Sequence, residues 1–153
     1  MDVIRQLDEQ VVKVPLEAMD KEEAIAELLE LLVRTGRVTS RDELLEALYE
    51  RESKGSTGIG EGVAIPHARH PEVDGAQVAA GVRKEGIDFD ALDDRDVQVI
   101  FLVVAEEENP SANVEALAEL GNLVQMPGIY DRLVEADSAD EFVKVLGEVQ
   151  FQP

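Results

Sequence analysis

Cysteine and tryptophan are both absent, and only 4% of the chain is aromatic. Without cysteine there is no disulfide and no thiolate chemistry. No apolar run approaches the ~20 residues that a membrane span needs. The start, Met1-Asp2-Val3-Ile4-Arg5, has no basic region ahead of a long apolar core, so no signal peptide is expected. These absences make the cytoplasm the expected location. Positive charge is also scarce: 14 Lys+Arg face 34 Asp+Glu, a net charge of −20, and only five of the cations are lysine. Such a surface repels nucleic acid and anionic lipid, so neither is an expected partner. The acids are spread along the chain and form no tail, which argues against disorder. Two explanations of the charge stand side by side. One is a salty cytoplasm, where screening over a few ångströms makes self-repulsion tolerable. The other is attraction of a basic protein partner. With 44% apolar residues in 153, a single domain over residues 1–153 with a full core is expected.

Histidine is nearly as rare, and both copies fall in one stretch, Gly55-Ser56-Thr57-Gly58-Ile59-Gly60-Glu61-Gly62-Val63-Ala64-Ile65-Pro66-His67-Ala68-Arg69-His70. Four glycines crowd its first half. Glycine lets backbone N–H groups turn toward a ligand, and such a turn can form an anion-binding nest. Val63-Ala64-Ile65 is apolar and short, as for a buried strand. Pro66 ends it and fixes the entry angle of His67. The expected picture is one imidazole at a strand end beside backbone suited to phosphate. Imidazole fits, being nucleophilic and partly neutral near pH 7.

Around this stretch the chain reads in order. Val11 to Leu16 alternates loosely around Pro15, as an edge strand. Asp20 offers an N-cap with Glu23 three positions on, and Ala24, Ile25, Leu28, Leu29 and Leu32 recur at helical spacing, so a helix is expected over 21–35, stopped by Gly36. Ser40-Arg41-Asp42-Glu43 reads as a capping box for a second helix to about Glu52, which brings Arg51 to the edge of the glycine loop. A turn is expected over 71–75, then strands over 77–83 and 97–104, the second nearly all apolar and so central. Phe89 and Leu92 lie in the acidic connection between them. Asn109-Pro110 suits a helix start. Val114, Leu117, Ala118, Leu120, Leu123 and Val124 give its apolar stripe, ended by Pro127-Gly128. A short helix over 129–136 and a last one opened by Ser138 to Glu141 complete the chain. The sum is α/β: a mixed β-sheet flanked by helices on both faces.

Those residues, in that order, resemble the IIA domain of the fructose/mannitol class of the sugar phosphotransferase system, which includes the nitrogen-regulatory IIA proteins. The resemblance covers nearly the whole chain. It rests on Asp20-Lys21-Glu22-Glu23-Ala24-Ile25, on Leu44-Leu45-Glu46-Ala47-Leu48 with Arg51-Glu52, and on the run from Ser56 to His67. It implies that His67 is the phosphorylated histidine and Arg51 the active-site arginine. A histidine phosphocarrier protein would donate the phosphoryl group. A sugar-specific IIB domain would accept it, or a transporter or kinase would be regulated by it. No bound cofactor or metal is implied. Guanidinium suits the neutralising role, and Thr57 with nearby backbone would donate hydrogen bonds. One departure stands out: the family's second histidine is matched by Asn113, a neutral donor that cannot titrate. Asn113 is expected to help bind a phosphate oxygen, with slower onward transfer or a longer-lived phospho-state.

Plainer alternatives stand beside these. Arg51 suits a helix C-terminus on dipole grounds alone, and the glycines suit turns. His70 is expected to be a solvated loop residue. His67 and His70 lack a third histidine or a cysteine for a metal site. The Asp90–Asp96 cluster lacks EF-hand spacing. A serine hydrolase fares badly, since no nucleophile-elbow pattern surrounds Ser56. A non-catalytic interaction module that keeps the fold is the alternative function, motivated by Asn113. The absence of a fused IIB or membrane domain favours regulation or a separate IIA.

Overall fold

The computed structural model describes residues 2–150. The chain runs α1 (Asp2–Gln6), β1 (Val12–Lys13), α2 (Lys21–Arg34), α3 (Arg41–Ser53), β2 (Gly58–Gly60), β3 (Val63–Ala64), β4 (His67–His70), β5 (Ala76–Ile87), β6 (Val97–Glu106), α4 (Pro110–Gln125), α5 (Ile129–Glu135) and α6 (Ala139–Gln150).

The sheet has six strands in the order β1-β5-β6-β3-β2, with β4 also paired to β6. β6 is central, as its apolar run implies. It lies antiparallel to β5 along most of its length. Its other edge is shared end to end: Val63 and Ala64 pair with Val99 and Ile100, and His67 to His70 pair with Val103 to Glu106, both in parallel. Pro66 bridges the two segments, its carbonyl accepting the Val103 amide at 2.9 Å. Val99 to Ala105 are all buried, odd and even positions alike. A strand buried on both sides needs cover on both faces. α2 packs on α3, while α1, α4, α5 and α6 pack among themselves. Phe101 of β6 meets Phe142 of α6 at 6.3 Å between ring centroids, each a fully buried ring of the kind that contributes roughly 1.5–3 kcal/mol.

Several boundaries differ from the sequence expectation for identifiable reasons. The segment before residue 11 forms α1, whose short span gave no repeating period; Val3, Ile4 and Leu7 are buried, and Glu119 of α4 accepts the Val3 and Ile4 amides. Ser40 is the N-cap of α3 but adopts φ +53° and forms no capping box; its hydroxyl donates to Glu72 instead. Asp20 caps α2 as expected, accepting the Glu23 amide at 2.8 Å. His70 is no loop residue: it ends β4, with its side chain 12% exposed and bonded to Glu43 of α3. Phe89, in the acidic connection, is buried, while Leu92 is exposed.

Candidate active site

α3 delivers Arg51 in its last turn, and β4 begins with His67. The two elements pack together. Their side chains open on a cleft of about 620 Å³ that also holds Lys54, Arg69, Asn113 and Val114. Arg51 Nη1 donates to the Gly55 carbonyl at 2.8 Å. That bond satisfies one of five guanidinium donors and steadies the side chain at the helix end. No carboxylate pairs with Arg51 among the described residues.

His67 Nδ1 lies 2.8 Å from the Ile65 carbonyl. A carbonyl oxygen only accepts, so Nδ1 carries the proton and Nε2 keeps its lone pair. Burial holds the ring's pKa below the usual histidine value, against the Ile65 bond, and the Arg51 charge lowers it further while Glu52 opposes this. The lowered pKa favours the neutral ring, with its proton on Nδ1 directed at the Ile65 carbonyl and the Nε2 lone pair left free.

α4 presents its N-terminal turn to the same cleft through Pro110, Asn113 and Val114. That turn contains no acidic residue, unlike the first turns of α2, α3, α5 and α6. The positive end of a sixteen-residue helix thus faces the histidine without an acid of its own to cancel it. Asn113 Oδ1 is buried and has no hydrogen-bond partner. Val114 belongs to the cleft rather than the core: it is 62% exposed, and the buried stripe of α4 is Ala116, Leu120 and Leu123.

Thr57 sits elsewhere. It is 5% exposed and does not line the cleft. Its hydroxyl donates to Glu52 Oε1 at 2.6 Å and its amide donates to Glu52 Oε2 at 3.1 Å. Lys21 approaches the same carboxylate at 3.7 Å. Glu52 is the residue that reasoning from sequence left without a role: it braces the start of the glycine segment. Its position next to Arg51 at the end of α3 was the available signal.

The glycine segment forms no phosphate nest. Gly58–Gly60 is a strand paired with Val63–Ala64. The Gly58 amide donates to Ser56 Oγ and the Glu61 amide to Asp93, so these donors are already used. Gly62 serves close packing: it has φ +86°, and a Cβ there would lie 2.0 Å from the Tyr130 hydroxyl oxygen.

Glu43, His70 and Glu72 bring three possible ligand atoms within 4.8 Å of one another. The Glu72 amide donates to His70 Nδ1 at 3.1 Å, which puts the ring proton on Nε2, facing Glu43 at 2.8 Å. A metal-bound histidine holds its proton on the ring nitrogen away from the metal. The cluster is complete as a hydrogen-bond network.

Residues 5–149 match the family described as the phosphoenolpyruvate-dependent sugar phosphotransferase system, EIIA 2. The chain belongs to this family. Among its relatives, a PTS system fructose-specific EIIA component from Haloferax volcanii is 39% identical over 84% of both chains. A PTS system fructose-specific EIIABC component from Bacillus subtilis is 34% identical over 97% of this chain, which spans only 23% of that protein. Among solved structures, the nitrogen regulatory protein IIA-Ntr from Neisseria meningitidis superposes with a TM-score of 0.83 at 32% identity, covering 94% of this chain and 97% of that one. The enzyme IIA-mannitol in complex with phosphorylated enzyme IIB-mannitol from Escherichia coli superposes at 0.78 and 25% identity, covering 93% and 97%. The mixed sheet with helices is thus the fold of the EIIA 2 family. Among the described residues, no helix is long and apolar enough to cross a membrane.

Proposed function

We propose that His67 accepts a phosphoryl group on Nε2 from a histidine phosphocarrier protein in the cytoplasm and passes it to a IIB domain. The observation that carries this is the 2.8 Å contact between His67 Nδ1 and the Ile65 carbonyl, which leaves the Nε2 lone pair on the ring's other side, in a cleft that Arg51 shares. In the transfer, the P–N bond to the donor ring breaks as the P–Nε2 bond forms. The donor imidazole departs with the bonding pair. His67 keeps its Nδ1 proton and takes on the ring charge that the donor sheds. The Ile65 carbonyl stabilises that charge as it grows, because hydrogen bonds to charged groups are the stronger ones. Arg51 and the α4 N-terminus face the phosphoryl oxygens, the electrostatic stabilisation that dominates such transfers. Asn113 offers a neutral amide to the same group.

Of the family's two branches, sugar uptake is favoured by the fructose-specific relative at 39% identity, against 28–32% for the nitrogen regulatory relatives. The IIB partner is supported by the mannitol complex, in which a IIA protein is bound to phosphorylated IIB. The test is incubation with phosphoenolpyruvate and the upstream phosphocarrier system, followed by mapping of acid-labile phosphate. Label on His67 that disappears in His67→Ala is expected. An unlabelled wild type, under conditions that label a control IIA protein, sinks the reading.

A further inference from the structure

We propose that Arg69 is a second guanidinium clamp for the phosphoryl group on His67, and that its charge makes up for the neutrality of Asn113. The inference rests on the reading of His67 as the phosphoryl acceptor and extends it to a residue that nothing above assigns.

Three observations carry it. First, His67 and Arg69 stand two apart on β4, so their side chains leave the same face of the strand. Both line the one cleft. Two residues of strand span roughly 6.6 Å, within the reach of an extended arginine. Second, Arg69 forms no ion pair among the described residues, although acids outnumber bases by 34 to 14. Most of the other cations are taken: Lys13, Lys21, Arg37, Arg41, Lys84, Arg132 and Lys144 each hold a carboxylate. Lys54, also in the cleft, holds Glu50 at 3.7 Å. Among the described residues, Arg51 and Arg69 are the cleft's two guanidiniums without a carboxylate partner. Third, the group to be held is a strong anion. A phosphoryl group brings close to two negative charges at neutral pH. Asn113 adds no charge toward it, and Arg51 and Arg69 are the two arginines that line the cleft. Glu107 lies on the same cleft wall without claiming Arg69.

The test uses two phosphoryl sources on the full chain. The phosphocarrier system reports transfer with docking. Phosphoramidate, a small chemical donor, reports the site without a protein partner. Wild type, Arg69→Gln, Arg69→Lys and His67→Ala are compared for labelling rate from each source and for phosphohistidine lifetime. Loss of one charge-assisted contact predicts that Arg69→Gln slows labelling from both donors about tenfold or more and shortens the lifetime. Arg69→Lys restores part of both, because it keeps the charge and loses the fork. A rate and lifetime equal to wild type in Arg69→Gln overturn the clamp and leave the function of His67 standing. So does slowing with the protein donor alone, which makes Arg69 a docking contact. A wild type that takes no label at His67 from either donor overturns both claims together.

Discussion

Thr57 and Glu52 are joined twice, hydroxyl to Oε1 at 2.6 Å and amide to Oε2 at 3.1 Å, in a setting where both side chains are buried. The pair ties the end of α3, and so Arg51, to the segment that leads into β2. Removing one partner leaves a buried oxygen unsatisfied, at a cost of ~1–3 kcal/mol. Thr57→Val should therefore lower the urea midpoint, while Thr57→Ser, which keeps both donors, should stay near wild type. A Thr57→Val protein with an unchanged midpoint but no phosphate label would return Thr57 to direct phosphate binding.

The pH response of His67 follows from its lowered pKa, caused first by burial and then by Arg51. The folded state binds its proton less readily than the unfolded chain does, so the unfolded state carries more protons between the two pKa values. The resulting stability is fully present above the unfolded value near 6.5 and is lost as pH falls through the folded one. NMR titration of the ring should give a pKa below 6.5. Arg51→Gln should raise it only part of the way back, because burial is the larger cause. A full return in Arg51→Gln would mean that the charge dominates and burial does not.

Much of the architecture was legible because its signals are periodic. The runs in α2 and β6 have the right period and the right caps, and the capping pair Asp20–Glu23 forms as read. The site was legible in Arg51 and His67, which do share a cleft. What failed was inference from residue type without partners. Glycines that suit a nest were instead spent on strand pairing and on room for Tyr130. Ser40 found Glu72 before its own helix amides. His70 looked like a solvated loop residue because β4 borrows its pairing from β6, thirty-six positions along the chain, at Glu106. Such choices are set by tertiary neighbours that a local window does not contain.

Asn113 stands where the resemblance to the IIA domains implies a second histidine. It lines the cleft, and its Oδ1 is buried without a partner. A histidine there can titrate and carry charge toward the phosphoryl group, and asparagine cannot. Asn113→His should change the phosphohistidine lifetime and speed transfer to a IIB acceptor. An unchanged lifetime removes the basis for giving this substitution a functional role.

Gly62 is constrained twice over. Its φ of +86° is unfavourable for any residue with a Cβ, and that Cβ would lie 2.0 Å from the Tyr130 hydroxyl oxygen. The hydroxyl donates to Gln98 Oε1 at 2.6 Å, and Gln98 in turn donates to the Lys84 carbonyl, so the ring cannot retreat without breaking a chain of bonds. Gly62→Ala should cost about 2 kcal/mol or more, combining backbone strain with displacement of the tyrosine. Adding Tyr130→Phe removes the nearest atom and should recover part of the lost urea midpoint. No recovery would place the cost in the backbone alone.

The net charge of −20 makes the stability of the fold sensitive to salt. Ion pairs engage only some of the 34 acids, so like-charge repulsion opposes the compact state. Screening shortens from roughly 10 Å at 0.1 M to about 3 Å at 1 M salt. Repulsion between acids farther apart than a few ångströms should then fade, while close pairs such as Lys13–Glu27 at 2.6 Å keep most of their attraction. The urea midpoint should rise between dilute and molar KCl. A midpoint that stays level across that range would leave attraction of a basic partner as the purpose of the acids. In that case labelling by the phosphocarrier protein should slow steeply as salt is added.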